Sequence, residues 1–178
     1  MKVKFWGVRG SIPTPSRDVM GVGGNTSCVQ VTPSDGTLII LDAGTGIRML
    51  GKDLLKHNNP HKITGHILLS HTHWDHIQGF PFFAPAFIEG NHFYIYGAHQ
   101  SEEHLEDTLR GQMRFEYFPV ELEAMGGKIE VVELAEETVS INSHIKITTR
   151  KFNHPGGVYG FRIEHDGYIV VYCTDMEY

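Results

Sequence analysis

The sequence predicts an α/β fold in which layers of helix and sheet pack into a sandwich. Apolar runs such as Leu38-Ile39-Ile40-Leu41 are typical of strands that are covered on both faces. An amphipathic helix follows this run, and from Lys128 onward the chain is nearly all strand. With 178 residues, the chain suits a single domain, residues 1–178, with one substantial core.

In the first part of the chain, strands alternate with helices. Val3 and Phe5 alternate with lysines, as on a half-buried strand, and Ser101 is a candidate cap for a later helix. The leucines and isoleucine of residues 47–55 recur at helical spacing, so one side of that helix should pack on the sheet. We predict strands at residues 3–5, 28–32, 38–41, 67–69 and 93–98, and helices at residues 47–55 and 101–114.

The second part of the chain reads as antiparallel strands. Alternating apolar residues from Tyr159 to Ile163 lead into Asp166-Gly167, a strong two-residue hairpin signal. The returning strand, residues 168–173, places Asp175 directly after its end. Other strands are predicted at residues 129–131, 139–141 and 145–147. Both sheets should therefore bring polar residues to one rim of the sandwich.

Composition narrows the class of protein. The net charge of −6 gives no general attraction to nucleic acid, and residues 116–123, with Glu102, Glu103 and Glu106, are acidic, which argues against an RNA partner. The start lacks a signal-peptide core and no apolar run is long enough to span a membrane, so we expect a soluble cytoplasmic protein. Cys28 and Cys173 are interpreted as buried free thiols rather than a disulfide.

The segment His71-Thr72-His73-Trp74-Asp75-His76 concentrates four potential metal ligands directly after an apolar strand. His71 and His73 lie two residues apart, so on extended backbone both imidazoles point to the same side. If the chain then turns, Asp75 and His76 can serve a second ion a few ångströms away. A solvated loop with a chance excess of histidine is the alternative. We therefore predict a metal site, while the other scattered histidines are interpreted as surface or structural.

The HTHWDH segment resembles the H-x-H-x-D-H signature of the metallo-β-lactamase superfamily. Asp42-Ala43-Gly44 is similar to the family's turn after an early strand, and Asn25, like Asp42, is expected to form turns or support ligands. Phe5–Pro13 and Gly23–Ser27 look closest to the phosphodiesterase-type branch, which includes tRNA 3′-processing endonucleases and class II-like cyclic-nucleotide phosphodiesterases.

The resemblance implies a ligand set and a mechanism. In an αββα sandwich, His71, His73 and His154 would hold one zinc ion, Asp75 and His76 a second, and Asp175 would bridge the two; manganese or iron are alternative metals. A hydroxide bound between the ions would attack a small phosphodiester or cyclic nucleotide, and Asp75 would orient it as the catalytic carboxylate. A further family histidine, expected after the bridging aspartate, is absent from these residues.

That absence leads to three expectations. The second half of the sandwich should be incomplete, the second metal position should be weakly held, and exposed strand edges should favour self-association. Two other functions stay open. One is thioester or lactam hydrolysis on the same scaffold, and the other is a metal-binding or sensing module with weakened catalysis. Arg110, Arg114, Phe115, Tyr117 and Phe118 either line the mouth of a pocket or, the interpretation we favour from sequence, pack as ordinary core and surface residues.

Overall fold

The computed structural model describes residues 1–98 and 104–177. Within these ranges the strands are β1 (Lys2–Gly7), β2 (Cys28–Thr32), β3 (Leu38–Leu41), β4 (Thr64–Leu68), β5 (His92–Ala98), β6 (Lys128–Leu134), β7 (Thr138–Ile141), β8 (Ile145–Phe152), β9 (Val158–His165) and β10 (Tyr168–Tyr172). The helices are α1 (Gly46–His57), the single-turn α2 (Trp74–Ile77) and α3 (Leu105–Gln112), with 3₁₀ turns at Arg17–Val19, Phe80–Phe82, Ala84–Phe87 and Leu122–Ala124.

The first sheet has six strands in the order β1-β2-β3-β4-β5-β6. The first two pairings are antiparallel, and the β3/β4, β4/β5 and β5/β6 pairings are parallel. Helices α1 and α3 cover one face of this sheet and share with it a core that includes Ile47, Leu50 and Leu109. Because β3 and β4 are parallel, their carboxyl ends lie at the same edge of the sheet.

The second sheet has four antiparallel strands in the order β10-β9-β8-β7. Its inner face packs against the other side of the first sheet, and residues such as Ile39, Leu68, Ile147 and Phe161 form this second core. Along the described parts of the chain, no helix covers the outer face of the second sheet. The predicted αββα sandwich with an incomplete second half is thus confirmed, with helix, sheet and sheet layers present.

The structure corrects some details of the sequence interpretation. Val3 and Phe5 lie on an edge strand and are exposed rather than half-buried, because β1 pairs with β2 on one side only. Both cysteines are free thiols as predicted, but only Cys28 is buried; Cys173 lies beyond the end of β10 and is exposed. Helix α3 ends at Gln112, near the predicted end, whereas Ser101, Glu102 and Glu103 lie outside the described residues.

Asp166-Gly167 forms the predicted hairpin turn between β9 and β10. Both residues have positive φ angles, 49° and 77°, as a two-residue turn of this hand requires. No helix in the described ranges has both the length and the apolar character needed to cross a membrane.

Candidate metal centre

One rim of the sandwich collects the polar residues that follow several strands. Asp42 follows β3, and Ser70 and His71 follow β4. His154 lies two residues after β8, and Asp175 three residues after β10. The two sheets thus meet at this rim with histidine and carboxylate side chains, which is where ligands bind in layered α/β folds.

Backbone contacts lock the turn after β3 against the histidine loop. The Ala43 amide donates to the His76 carbonyl at 2.7 Å, and the Gly79 amide donates to the Ala43 carbonyl at 2.9 Å. A Cβ atom on Gly44 would overlap the carbonyl oxygen of Asp75, so the close crossing of the two segments requires glycine there. The position of the loop is therefore fixed by the fold and not only by its own sequence.

Three imidazole nitrogens converge at the first ligand group. His73 Nδ1 lies 2.9 Å from His71 Nε2 and 3.1 Å from His154 Nε2. Their ligand atoms all lie within 4.8 Å of one another. Two nitrogens bound to one tetrahedral zinc ion at 2.0–2.1 Å would be about 3.3 Å apart. The spacing is therefore close to that of a three-histidine zinc site.

The second ligand group combines one imidazole with two carboxylates. His76 Nε2 lies 2.8 Å from Asp175 Oδ2 and 3.4 Å from Asp75 Oδ2. Asp175 Oδ2 also lies 3.5 Å from His71 Nε2, so this oxygen faces both groups. Asp175 is therefore within reach of both ligand groups.

Hydrogen bonds from behind hold three of the four imidazoles. His76 Nδ1 lies 2.7 Å from Asp42 Oδ2, and His154 Nδ1 lies 3.0 Å from Glu177 Oε1. His71 Nδ1 lies 3.1 Å from Ser70 Oγ. With the ring proton on Nδ1 in each case, Nε2 presents its lone pair to the centre, which is how protein metal sites orient histidine ligands.

Asp42 is the buried anchor of this arrangement. Its carboxylate is inaccessible to solvent and accepts hydrogen bonds from the Ser70 amide at 2.7 Å, the Ser70 hydroxyl at 3.0 Å and the Tyr172 hydroxyl at 2.6 Å. The residue has a positive φ of 60°, which aspartate tolerates better than most residues. Asp42 thus connects the turn after β3, the start of the histidine loop and the end of β10.

The lone pairs of the ring nitrogens indicate that a cation fits between the three histidines of the first ligand group. The Nε2 atoms of His71 and His154 carry lone pairs if their protons lie on Nδ1, and both lie beside His73 Nδ1. One proton on His73 could satisfy only one of these two neighbours. Three nitrogens and a shared carboxylate oxygen at these distances suit a divalent transition metal, and imidazole with carboxylate is a donor set that zinc accepts.

The local environment sets the protonation of the ligand residues. Burial, reinforced by neighbouring His76, lowers the pKa of His71 to about 4, so its imidazole is neutral at pH 7. Burial opposes the charge on His76, but the hydrogen bond and negative charge of Asp42 raise its pKa above the ordinary value. Burial also opposes the charge on Asp75, yet the Ser11 amide and His76 lower the pKa of this carboxyl.

All six residues that the sequence singled out lie at this rim: His71, His73, Asp75, His76, His154 and Asp175. Sequence reasoning did not identify two supporting contacts. Glu177 binds His154, and the Ser11 backbone amide donates to Asp75 Oδ2 at 2.7 Å. Neither contact has a sequence signal, because Glu177 is one acidic residue among many and Ser11 acts through its backbone.

Comparison with known proteins agrees with this geometry. Residues 37–178 match the beta-lactamase superfamily domain. The chain belongs to the beta-lactamase superfamily. This confirms the family that the HTHWDH signature predicted, and residues 37–178 include all six of the proposed ligands.

Its relatives lie on the phosphodiesterase and tRNA-processing side of the superfamily. The chain is 29% identical over 172 residues to ribonuclease BN of Escherichia coli O1:K1, covering 93% of this chain and 50% of the relative. Human tRNase Z, short form, has the same fold, with a TM-score of 0.66, 19% identity and coverage of 96% of this chain and 68% of that one. Yeast PDE1 gives a TM-score of 0.60 at 15% identity, with 96% and 64% coverage.

The chain spans about half the length of the curated relatives that it matches. The likeness to the solved structures, below 25% identity, shows the fold alone. What these proteins act on therefore serves only as support for a proposal about this chain.

Proposed function

We propose that this protein is a metal-dependent hydrolase of phosphodiester bonds with room for two zinc ions. The observation that carries the proposal is that His73 Nδ1 lies within hydrogen-bonding distance of both His71 Nε2 and His154 Nε2, and that the three nitrogens lie within 4.8 Å of one another. We propose zinc because imidazole nitrogens dominate the donor set, with manganese or iron as alternatives.

We assign the ligands in two groups. His71, His73 and His154 would hold the first ion, and Asp75 and His76 the second. Asp175, whose Oδ2 atom faces both groups, would bridge them. Two cations bound here would lower the pKa of a shared water and neutralise phosphate oxygens as charge builds in the transition state.

Asp75 has the geometry of a group that orients a nucleophile. The Ser11 amide fixes its Oδ2 atom, which therefore cannot rotate freely away from the centre. Its lowered pKa keeps the carboxylate charged at pH 7, so it is a hydrogen-bond acceptor for an attacking water. No serine or cysteine is needed as a nucleophile in this scheme.

For the substrate class, the names of the relatives favour a phosphodiester over a thioester or lactam. A small diester or cyclic nucleotide is our prediction from the family resemblance, since the net charge of −6 gives no general attraction to nucleic acid. The relatives named ribonuclease BN and ribonuclease Z make RNA the alternative substrate of the same chemistry.

Turnover of bis(p-nitrophenyl) phosphate by the zinc-loaded protein tests the proposal. We expect hydrolysis that is lost in His73→Ala, with zinc bound more weakly, and retained in His57→Ala. His57 is a suitable control because it lies on α1, outside the histidine loop, and its ring pairs with Asp53 of its own helix. Zinc binding without turnover of any diester would reject the enzyme and favour the sensing module.

A further inference from the structure

A large cavity lies between the histidine loop and helix α3. Its volume is about 900 Å³, and Thr72 and Trp74 of the loop form part of its wall. Pockets that hold small molecules have volumes of roughly 300–1,000 Å³. Because Trp74 lies between His73 and Asp75 in the chain, the cavity shares the histidine loop with the proposed reaction centre.

Exposed aromatic rings line the cavity. The side chain of Trp74 is 78% exposed, that of Tyr117 76% and that of Phe82 56%. Phe82 packs edge to face on Phe118, with the ring centroids 5.4 Å apart. So many exposed aromatic groups around one concave surface indicate a binding site rather than incomplete packing.

Polar groups accompany the rings. Arg110 is paired with Glu106 and Glu123, but Arg114 is exposed and has no ion-pair partner in residues 1–98 or 104–177. Asp107 on the same wall is a hydrogen-bond acceptor. The cavity thus offers flat apolar faces, an arginine that forms no ion pair with the described residues, and an acceptor.

We propose that this cavity is a subsite for the nucleobase of a nucleotide substrate. A base stacks on an aromatic ring through its flat face, and its polar edge and the ribose hydroxyls need hydrogen-bond partners. The Arg114 guanidinium suits a phosphate oxygen. A fatty acyl chain would leave Arg114 and Asp107 unmatched, and a sugar phosphate would leave the aromatic faces unused.

This inference rests on the proposed function, since the subsite places a nucleotide beside a centre for phosphodiester hydrolysis. It also revises an interpretation made from the sequence. Arg110, Arg114, Tyr117 and Phe118 line the cavity, so four of the five residues that sequence reasoning assigned to ordinary packing lie at a pocket mouth. Phe115 is 77% exposed but does not line the cavity.

Fluorescence of Trp74 gives a direct test. The chain has two tryptophans, so Trp6→Phe leaves Trp74 as the only reporter. Titration of this zinc-loaded variant with adenosine 5′-monophosphate should quench the fluorescence saturably, with an affinity at least about tenfold higher than that of ribose 5-phosphate, which competes without a base. Equal affinities for the two ligands would overturn the subsite.

Matched variants locate the binding. In the same background, Tyr117→Ala should weaken adenosine 5′-monophosphate binding at least about fivefold, whereas Phe115→Ala should change it less than about twofold. Arg114→Ala should weaken the nucleotide but not adenosine. Equal losses in the Tyr117 and Phe115 variants would contradict the assignment, and circular dichroism checks that each variant is folded.

Two further comparisons complete the test. The first distinguishes RNA from a free nucleotide as the source of the base, and the second distinguishes the subsite from the proposed hydrolase function. A hexa-adenylate RNA that binds more than about tenfold tighter than the mononucleotide identifies RNA as the source, and equal affinity identifies a free nucleotide. Saturable nucleotide binding by a protein that hydrolyses no diester would keep the subsite and reject the proposed function. Diester turnover without any preference for a ligand that carries a base would keep the proposed function and reject the subsite.

Discussion

Among the described residues, the rim and the first sheet each carry a group of neighbouring histidines, and only the rim group has the geometry of a metal site. The rim histidines, His71, His73, His76 and His154, turn ring nitrogens toward shared points, with separations of 2.9 and 3.1 Å around His73. The sheet histidines, His66 and His92, instead stack on tyrosines, with His66 and Tyr94 ring centroids 5.0 Å apart.

The difference lies in what the ring nitrogens contact. In the sheet group, His66 Nδ1 contacts the Tyr96 hydroxyl at 3.1 Å, and His92 Nε2 lies 2.8 Å from Glu130. Across the residues that the structure describes, neither sheet histidine belongs to a group of three converging ligand atoms. In the rim group, contacts to Nδ1 of His71, His76 and His154 leave their Nε2 atoms facing the centre. His73 faces the centre with its Nδ1 atom instead. Histidine density alone therefore does not indicate a metal site; convergence and anchoring do.

The largest expected effect is the loss of zinc affinity when a rim histidine is removed, compared with removal of a sheet histidine. His73→Ala removes the nitrogen at the centre of the first ligand group, and we expect zinc affinity to fall by more than about 100-fold, beyond the range for supporting contacts. His92→Ala should leave zinc affinity within about twofold. Titration against a zinc chelator measures both. Similar losses in the two variants would remove the distinction between the groups.

The next largest effect is expected from Asp42, the buried carboxylate that anchors the rim group. Asp42→Asn keeps a side chain that tolerates a φ of 60° but removes the buried charge behind His76. We expect zinc affinity at the second position to fall about 10- to 100-fold. The free energy of unfolding should fall by about 3 kcal/mol, because the Tyr172 hydroxyl and His76 lose their charged partner.

Denaturant unfolding and zinc titration on the same Asp42→Asn preparation test these two expectations. Asp35→Asn is a matched control, because Asp35 is an exposed aspartate in the turn between β2 and β3 and accepts a hydrogen bond from the Thr37 amide of its own turn. Unchanged zinc binding in a destabilised Asp42→Asn protein would reduce Asp42 to a folding role.

A smaller effect is expected at Glu177. Its side chain is 55% exposed, and it contacts His154 Nδ1 from the solvent side. Glu177→Gln should weaken zinc binding by about tenfold or less, and the free energy of unfolding should change by less than about 0.5 kcal/mol. A zinc titration that shows no change would mean that His154 is oriented without Glu177.

The sheet group predicts a dependence of stability on pH. Burial, and then the neighbouring His92, lower the pKa of His66 to about 4, below the ordinary value of 6.5. Between these values the unfolded chain binds a proton at His66 that the folded chain does not. Stability should therefore be retained above about pH 6.5 and fall as the pH decreases toward 4.

His66→Phe keeps the stack on Tyr94 and removes the titrating group, so it should reduce this decrease. The comparison is the free energy of unfolding of the two proteins from pH 7 to pH 4. His92, Glu130, Tyr94 and Tyr96 face His66 and are the same in both. Parallel pH curves would show that His66 is not the group responsible.

Much of the fold followed from local patterns. The apolar run at residues 38–41 predicted a strand buried on both faces, and Leu38–Leu41 lies between the two cores. The exposure of Phe5 was not predictable, because an alternating pattern does not reveal whether a strand lies at the edge of a sheet. The burial of Cys173 was predicted wrongly for a similar reason, since it follows the edge strand β10.

The metal site could be predicted where its ligands lie close together in the sequence. The residues that support these ligands from distant parts of the chain could not be predicted. His71, His73, Asp75 and His76 lie within six residues, so the signature was visible. The contacts of Ser11 and Glu177 depend on how the sheets bring separate loops together, which one sequence does not encode locally. Weak occupancy of the second metal position and self-association stay predictions.

Anomalous diffraction at the zinc absorption edge tests the central claim most directly. Crystals of the zinc-loaded protein should show a strong peak bounded by His71 Nε2, His73 Nδ1 and His154 Nε2, and a weaker one beside His76 and Asp175. No peak should appear near His66 or His92. Absence of the first peak, or a peak of equal height at the sheet histidines, would contradict the account.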